Sequence, residues 1–181
     1  MARVLVPLAD GCEELEAVTI IDLLRRAEIE VVTAGLRPGP LKASRGVVIV
    51  PDRDLDGVNA ADFDMIALPG GAAGAEALAG DERVLALLRE MAAAGKYIAA
   101  ICAAPKVLAA AELLQGRRAT SFPGWLDGVA AVDYREEPVV VDDKLITSRG
   151  PGTAMDFALT LIETLAGQAR RDEVDSKLQR C

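Results

Sequence analysis

Short apolar runs and helical periodicities alternate along this chain. Ala2-Arg3-Val4-Leu5-Val6-Pro7-Leu8 predicts a first strand, broken at Asp10-Gly11. From 13 to 27, the spacing of Leu15, Val18, Ile21, Leu23 and Leu24 predicts a helix with one apolar face. Residues 30–34 are β-branched and predict a second strand, and 46–50 predict a third, ended by Pro51. The run 63–68 is a strand that stops at Pro69-Gly70-Gly71. Helices are expected from about 72 and over 81–94, the second ended by Gly95. Tyr97-Ile98-Ala99-Ala100-Ile101 is a further strand, with a helix over 103 to about 114 directly behind it. Residues 118–121 predict a short strand, and 138–141 with 144–148 a hairpin about Asp142-Asp143. Gly150-Pro151-Gly152-Thr153 opens a long helix through Leu165, with Pro151 in its first turn. Residues 170–181 are charged and suit a short terminal helix or tail.

Strands alternating with helices imply a parallel sheet covered on both faces. No internal repeat, linker or low-complexity stretch divides the chain, so residues 1–181 form a single α/β domain. In such sheets ligands bind beyond the carboxyl ends of the strands. Loops 9–16, 69–74 and 102–105 all lie at those ends and can meet in one crevice.

Composition narrows the function. The chain of 181 residues is 51% hydrophobic, enough for one sizeable core, but only 3% aromatic. The net charge of −8 gives no nucleic-acid signal, which would be a basic stripe. Three dispersed cysteines suit a reducing compartment and offer no zinc-binding pair. There is no histidine, which removes Ser-His-Asp and Cys-His catalysis together. The N-terminus has no signal-peptide pattern and no window has the length of a membrane span, so a cytoplasmic protein is expected.

The candidate chemistry centres on Cys102, where an apolar strand gives way at once to an Ala-rich helical pattern. A residue at such a junction projects like the nucleophile of a strand–turn–helix elbow. A helix N-terminus behind it would favour the thiolate, the reactive form. The bland alternative is a small buried thiol. Glu13, Glu14 and Glu16 open the first helix, where acids stabilise the dipole. One of them, facing Cys102 in the crevice, would have its pKa raised and could serve as proton donor or base. Gly70 and Gly71 allow a close backbone approach, as a simple turn or as an oxyanion hole in which the N–H groups of Gly71 and Ala103 converge. Arg45, Arg149 and Asp22 are further polar residues in apolar or Gly-rich surroundings. Cys12 could lie near Cys102 but reads more simply as a passenger thiol, and Cys181 as an exposed end.

Taken in order, Glu16, Pro69-Gly70-Gly71, Ala100-Ile101-Cys102-Ala103-Ala104-Pro105 and Thr147-Ser148-Arg149-Gly150-Pro151-Gly152-Thr153 resemble the ThiJ/PfpI superfamily. More narrowly they resemble the branch of the Parkinson's-linked deglycase-like protein and bacterial YajL-type proteins. The resemblance covers residues 2 to about 167. It implies a flavodoxin-like three-layer sandwich with a mostly parallel sheet and a nucleophile elbow. It implies Cys102 as nucleophile, Glu16 as the protonated acid on its sulfur, and Gly71 and Ala103 as backbone donors. Gly70, Arg45, Phe122, Gly150 and Pro151 would support the pocket, Arg45 also near a dimer interface and Gly150-Pro151 as a closing segment from a partner or neighbouring loop. Some members have a His-Pro pair where this chain has Phe122-Pro123; YajL-type members share Phe-Pro. The implied activity is a cysteine-dependent glyoxalase or deglycase acting on methylglyoxal, glyoxal or their adducts in carbonyl and oxidative stress. No cofactor or metal is implied, and protease action is not expected. The alternative is an oxidative-stress sensor or chaperone regulated by oxidation of Cys102. Branch members are homodimers with the first helix at the interface.

Overall fold

In a computed structural model, residues 1–180 are described. The chain runs through β1 (Arg3–Leu8), α1 (Glu14–Arg26) and β2 (Glu30–Gly35), then a small hairpin, β3 (Leu41–Lys42) and β4 (Val48–Ile49). β5 (Arg53–Asp54), β6 (Met65–Leu68), α2 (Ala72–Ala79), α3 (Glu82–Ala93) and β7 (Tyr97–Ile101) follow. Then come α4 (Pro105–Ala110), β8 (Arg118–Ala119), β9 (Asp133–Tyr134), β10 (Val139–Asp142) and β11 (Leu145–Ser148). The chain closes with α5 (Ala154–Ala166) and α6 (Gln168–Lys177).

Seven strands form one sheet in the order β10-β11-β7-β6-β1-β2-β5. All its pairings are parallel except β10 with β11. α1 packs on α5, and α5 on α6, on one face; α2, α3 and α4 cover the other. This is the flavodoxin-like sandwich. The central strands are apolar throughout because both faces are covered. β6 and β7 are buried almost end to end, with Ile66, Ala67, Leu68, Ala99, Ala100 and Ile101 at 0% exposure. Small Ala residues let helices approach this sheet closely despite the scarcity of aromatics. Among the described residues, no helix is long and apolar enough to cross a membrane.

Three expectations need correction. The predicted third strand, 46–50, does not join the main sheet. Only Val48–Ile49 is extended, paired with β3, and Val47, Val48 and Val50 are exposed. β-branched composition suits any pleated pairing, and here the hairpin takes it up locally. The buried face of α1 is also rotated from the one the apolar spacing picks. Ala17, Ile20 and Leu24 are buried with Glu16, whereas Leu15 and Val18 are half exposed. The helix behind Cys102 is six residues long and starts at Pro105, so residues 102–104 form a turn. Cys181 lies outside the described residues.

Candidate active site

Three neighbouring strands, β1, β6 and β7, end side by side, and their loops interlock. The Glu13 amide donates to the Gly70 carbonyl at 2.9 Å, and the Gly70 amide donates to Glu16 Oε2 at 2.8 Å. Glu16 lies in the first turn of α1 and is completely buried. Its other oxygen, Oε1, is buried without a hydrogen-bond partner, and the Cys102 thiol neighbours the carboxyl group. Gly70 is pressed between them. A Cβ at Gly70 would sit 2.7 Å from Cys102 Cβ and 2.7 Å from Glu16 Oε2. Only glycine leaves room for acid and sulfur to meet.

Cys102 has φ 65°, in the left-handed region that L side chains rarely adopt. Its backbone is tied on both sides: its amide donates to the Ser148 carbonyl at 2.9 Å and its carbonyl accepts from the Phe122 amide at 2.8 Å. These bonds hold a conformation that costs roughly 1–2 kcal/mol on its own. The result is the expected elbow. The backbone N–H groups of Gly71 and Ala103 point at the sulfur. The residue is 9% exposed, so its side chain is nearly but not wholly enclosed.

Burial raises Glu16 to about 7, against a hydrogen bond from Gly70 that favours the carboxylate. The sequence expectation of a raised carboxyl therefore holds. The expectation of a readily ionised thiol from the helix N-terminus does not. Burial first, and the ionised Glu16 beside it second, push Cys102 up to about 12. α4 is too short and starts too late to offset this, whereas the Gly71 and Ala103 amides do favour the thiolate. When Glu16 holds the proton its repulsion of a thiolate disappears. A thiolate at Cys102 is therefore less disfavoured when Glu16 is protonated.

Glu14, two residues earlier, goes the other way. Desolvation acts to raise it, but its hydrogen bonds outweigh that and its pKa is lowered. It accepts from Ser44 Oγ at 2.9 Å and from the Arg45 amide at 2.8 Å, so it clamps the hairpin loop. Sequence reasoning missed this role, because a first-turn acid has the same signature whether it caps or clamps. Glu13 also accepts from Ser44.

The supporting residues divide. Gly150 and Phe122 lie at the sulfur: a Cβ at Gly150 would be 4.0 Å from Cys102 Sγ and 3.2 Å from the Phe122 ring. Gly150 of this same chain thus lies beside the sulfur. Arg45 is exposed and shares a surface depression with Glu13, Ser44, Gly71 and Ala72, on the outer side of Gly71 from the sulfur. Arg149 donates to the Glu136 carbonyl, and Asp22 pairs with Arg26 on the surface. Cys12 is a free thiol, fully buried and raised to about 12 chiefly by burial.

An acid buried against a cysteine in a strained elbow, with two amides on the sulfur, is a whole-chain arrangement. The sequence pattern of the DJ-1/PfpI family matches residues 2–164. The chain belongs to the DJ-1/PfpI family. It is 46% identical over 175 residues to Protein dj-1beta of Drosophila melanogaster, covering 94% of this chain and 92% of that protein. It is 37% identical to the glutathione-independent glyoxalase DJR-1.2 of Caenorhabditis elegans, covering 96% and 92%. It spans 39% of the length of Protein DJ-1 homolog B of Arabidopsis thaliana, at 44% identity. The crystal structure of Drosophila melanogaster DJ-1beta superposes with a TM-score of 0.95 over 99% of this chain and 98% of that one.

Proposed function

We propose that this DJ-1 family member is a cofactor-independent glyoxalase/deglycase-type enzyme using Cys102 and Glu16 on 2-oxoaldehydes or their adducts. The observation that carries the reading is the wholly buried Glu16 carboxyl beside the Cys102 thiol, with one oxygen, Oε1, left without a hydrogen-bond partner. Leaving a buried carboxyl oxygen unsatisfied is costly, which supports a chemical use for it. The relative named as a glutathione-independent glyoxalase supports it.

In the reaction the Cys102 thiolate attacks the aldehyde carbon, and the former carbonyl oxygen takes a proton to give a hemithioacetal. Glu16, having given up its proton, removes the hydrogen on that carbon as H⁺. The C–H electron pair moves into an enediol as the adjacent carbonyl oxygen is protonated. Return of a proton to the second carbon, with loss of the hydroxyl proton from the sulfur-bearing carbon, gives a thioester. Water cleaves the thioester, releasing the 2-hydroxy acid and restoring the thiol. The sum is one water added to the 2-oxoaldehyde, with no external oxidant or reductant. The Gly71 and Ala103 amides, which point at the sulfur, would stabilise the oxyanions of the addition and hydrolysis steps. Adducts of the aldehyde would enter by the same attack.

Lactate formation from methylglyoxal, without glutathione, tests this. Cys102→Ser and Glu16→Gln should each lose at least about 100-fold in kcat/KM. Full turnover in either variant would reject the mechanism.

A second reading has its own support. The Gly71 and Ala103 amides that serve an oxyanion would equally hold the oxygens of an oxidised Cys102. A sensor or chaperone role regulated by that oxidation predicts a changed melting temperature after stoichiometric peroxide; an unchanged one counts against it.

The proposed assembly is a homodimer through α1. Leu15 and Val18 are 50% and 49% exposed, and Glu14 holds the hairpin with its exposed Val47 and Val48 at the start of the same helix. Light scattering on Val18→Glu, expected to be monomeric, checks this.

A further inference from the structure

The aromatic residues of this chain are few and unevenly placed. There are three phenylalanines, two tyrosines and one tryptophan. Phe63 and Phe157 are core residues, and Tyr97 lies under Lys144 at the start of β7. The other three, Phe122, Trp125 and Tyr134, fall in the segment between β8 and the end of β9. That segment is bonded to the elbow itself.

Phe122 donates its amide to the Cys102 carbonyl at 2.8 Å, yet its ring is 45% exposed. The ring lies over Gly150, and the bare Cα of Gly150 faces the sulfur. Trp125 follows one turn later, its amide donating to the Phe122 carbonyl at 3.1 Å. Its indole is half-buried and does not swing freely. Lys106 Nζ stands 5.4 Å from its ring centroid, and Glu76 holds that ammonium at 2.5 Å. Lys106 belongs to α4, directly behind Cys102. One exposed ring, Phe122, therefore stands beside the sulfur on a backbone anchored to it, and a second ring, held by a cation, follows one turn on.

Exposing a ring at the mouth of a site leaves apolar area in water that a small substrate does not cover. The methyl group of methylglyoxal is too small to cover the Phe122 face, whereas an aryl group would. Aromatic pairs gain beyond simple burial when rings meet edge-to-face or offset.

We propose that Phe122 is a specificity-determining residue at the Cys102 site, favouring 2-oxoaldehydes that carry an aromatic ring over methylglyoxal. This rests on the glyoxalase reading of the site. The chemistry at sulfur is unchanged; the rim acts on the group attached to the second carbonyl carbon.

The test compares kcat/KM for phenylglyoxal and methylglyoxal, measured as mandelate and lactate formed. Phe122→Leu keeps an apolar side chain and so preserves packing. The phenyl-to-methyl ratio should fall by roughly fivefold to tenfold in Phe122→Leu, the scale of one lost aromatic contact. A ratio unchanged in that variant, at unchanged melting temperature, overturns the proposal while leaving the enzyme reading intact. Absence of turnover of either aldehyde by the wild type would instead remove the enzyme reading. The ring is then judged by binding alone. In calorimetric titrations of Cys102→Ser, mandelate should bind more tightly than lactate, and adding Phe122→Leu should narrow the difference. Equal affinities for mandelate and lactate, or a difference unchanged by Phe122→Leu, overturn the proposal.

Discussion

Two adjacent strands of the sheet end in tight turns with positive φ, and they solve the problem differently. β6 ends in Gly70-Gly71, where Gly71 takes φ 91°. β7 ends in Cys102, which takes φ 65° with a full side chain. A glycine at 71 costs little in this region and is required twice over, because a Cβ there would fall on the Gly11 carbonyl oxygen and the Glu13 amide. A cysteine at 102 has no such excuse from packing. Strain is accepted at the turn whose side chain is the proposed nucleophile and avoided at the turn that supplies only backbone.

The contrast can be broken first at Gly71. Gly71→Ala meets both strain and overlap, and should cost about 4 kcal/mol or more in a urea unfolding measurement. A loss below about 1 kcal/mol would show that the two turns are equivalent.

The next largest effect concerns the buried acid between the turns. Glu16 titrates at about 7 in the fold against an ordinary 4.5. Its folded pKa is raised, so its stabilising contribution is complete below pH 4.5 and is lost as pH rises through 7. Glu16→Gln mimics the protonated form. Its stability relative to wild type should climb between those limits, by up to about 3 kcal/mol, in melts at a series of pH values. A constant difference across that range would mean an ionised carboxylate at every pH.

Gly70→Ala comes third. The added methyl would push Cys102 and Glu16 apart, costing about 2 kcal/mol and lowering alkylation-independent turnover more than stability. Equal turnover in Gly70→Ala and wild type would show that the acid–sulfur contact is not needed.

The smallest effect sharpens the comparison itself. Cys102→Gly should be more stable than Cys102→Ala by about 1 kcal/mol, since glycine relieves the positive φ. Alanine equal to or better than glycine would mean that the elbow carries no strain.

Much of this was legible along the chain. The strand–helix alternation located every main-sheet strand except the short edge β5, because buried parallel strands must be continuously apolar. Cys102 was legible because a strand running straight into a helical pattern leaves no room for anything but an elbow. Less legible were positions whose partners lie far away in sequence. The apolar spacing of α1 chose a face containing Leu15 and Val18, yet the helix turns Glu16 inward toward Gly70, which is 54 residues distant. The run at 46–50 had strand composition but its hairpin partner, β3, is only two residues long and carries little pattern.

The sequence by itself determined the fold class, the order of the elements and the candidate nucleophile, since these follow from local periodicity and residue type. The residue pattern left open which of three neighbouring glutamates faces the sulfur, and the resemblance pointed to Glu16; the tertiary structure buries Glu16 beside Cys102 and sets Glu14 to clamp a loop. It also decided that burial and the neighbouring carboxylate raise the thiol. A pKa belongs to an environment, and that environment is assembled from three loops that are neighbours only once the sheet has formed.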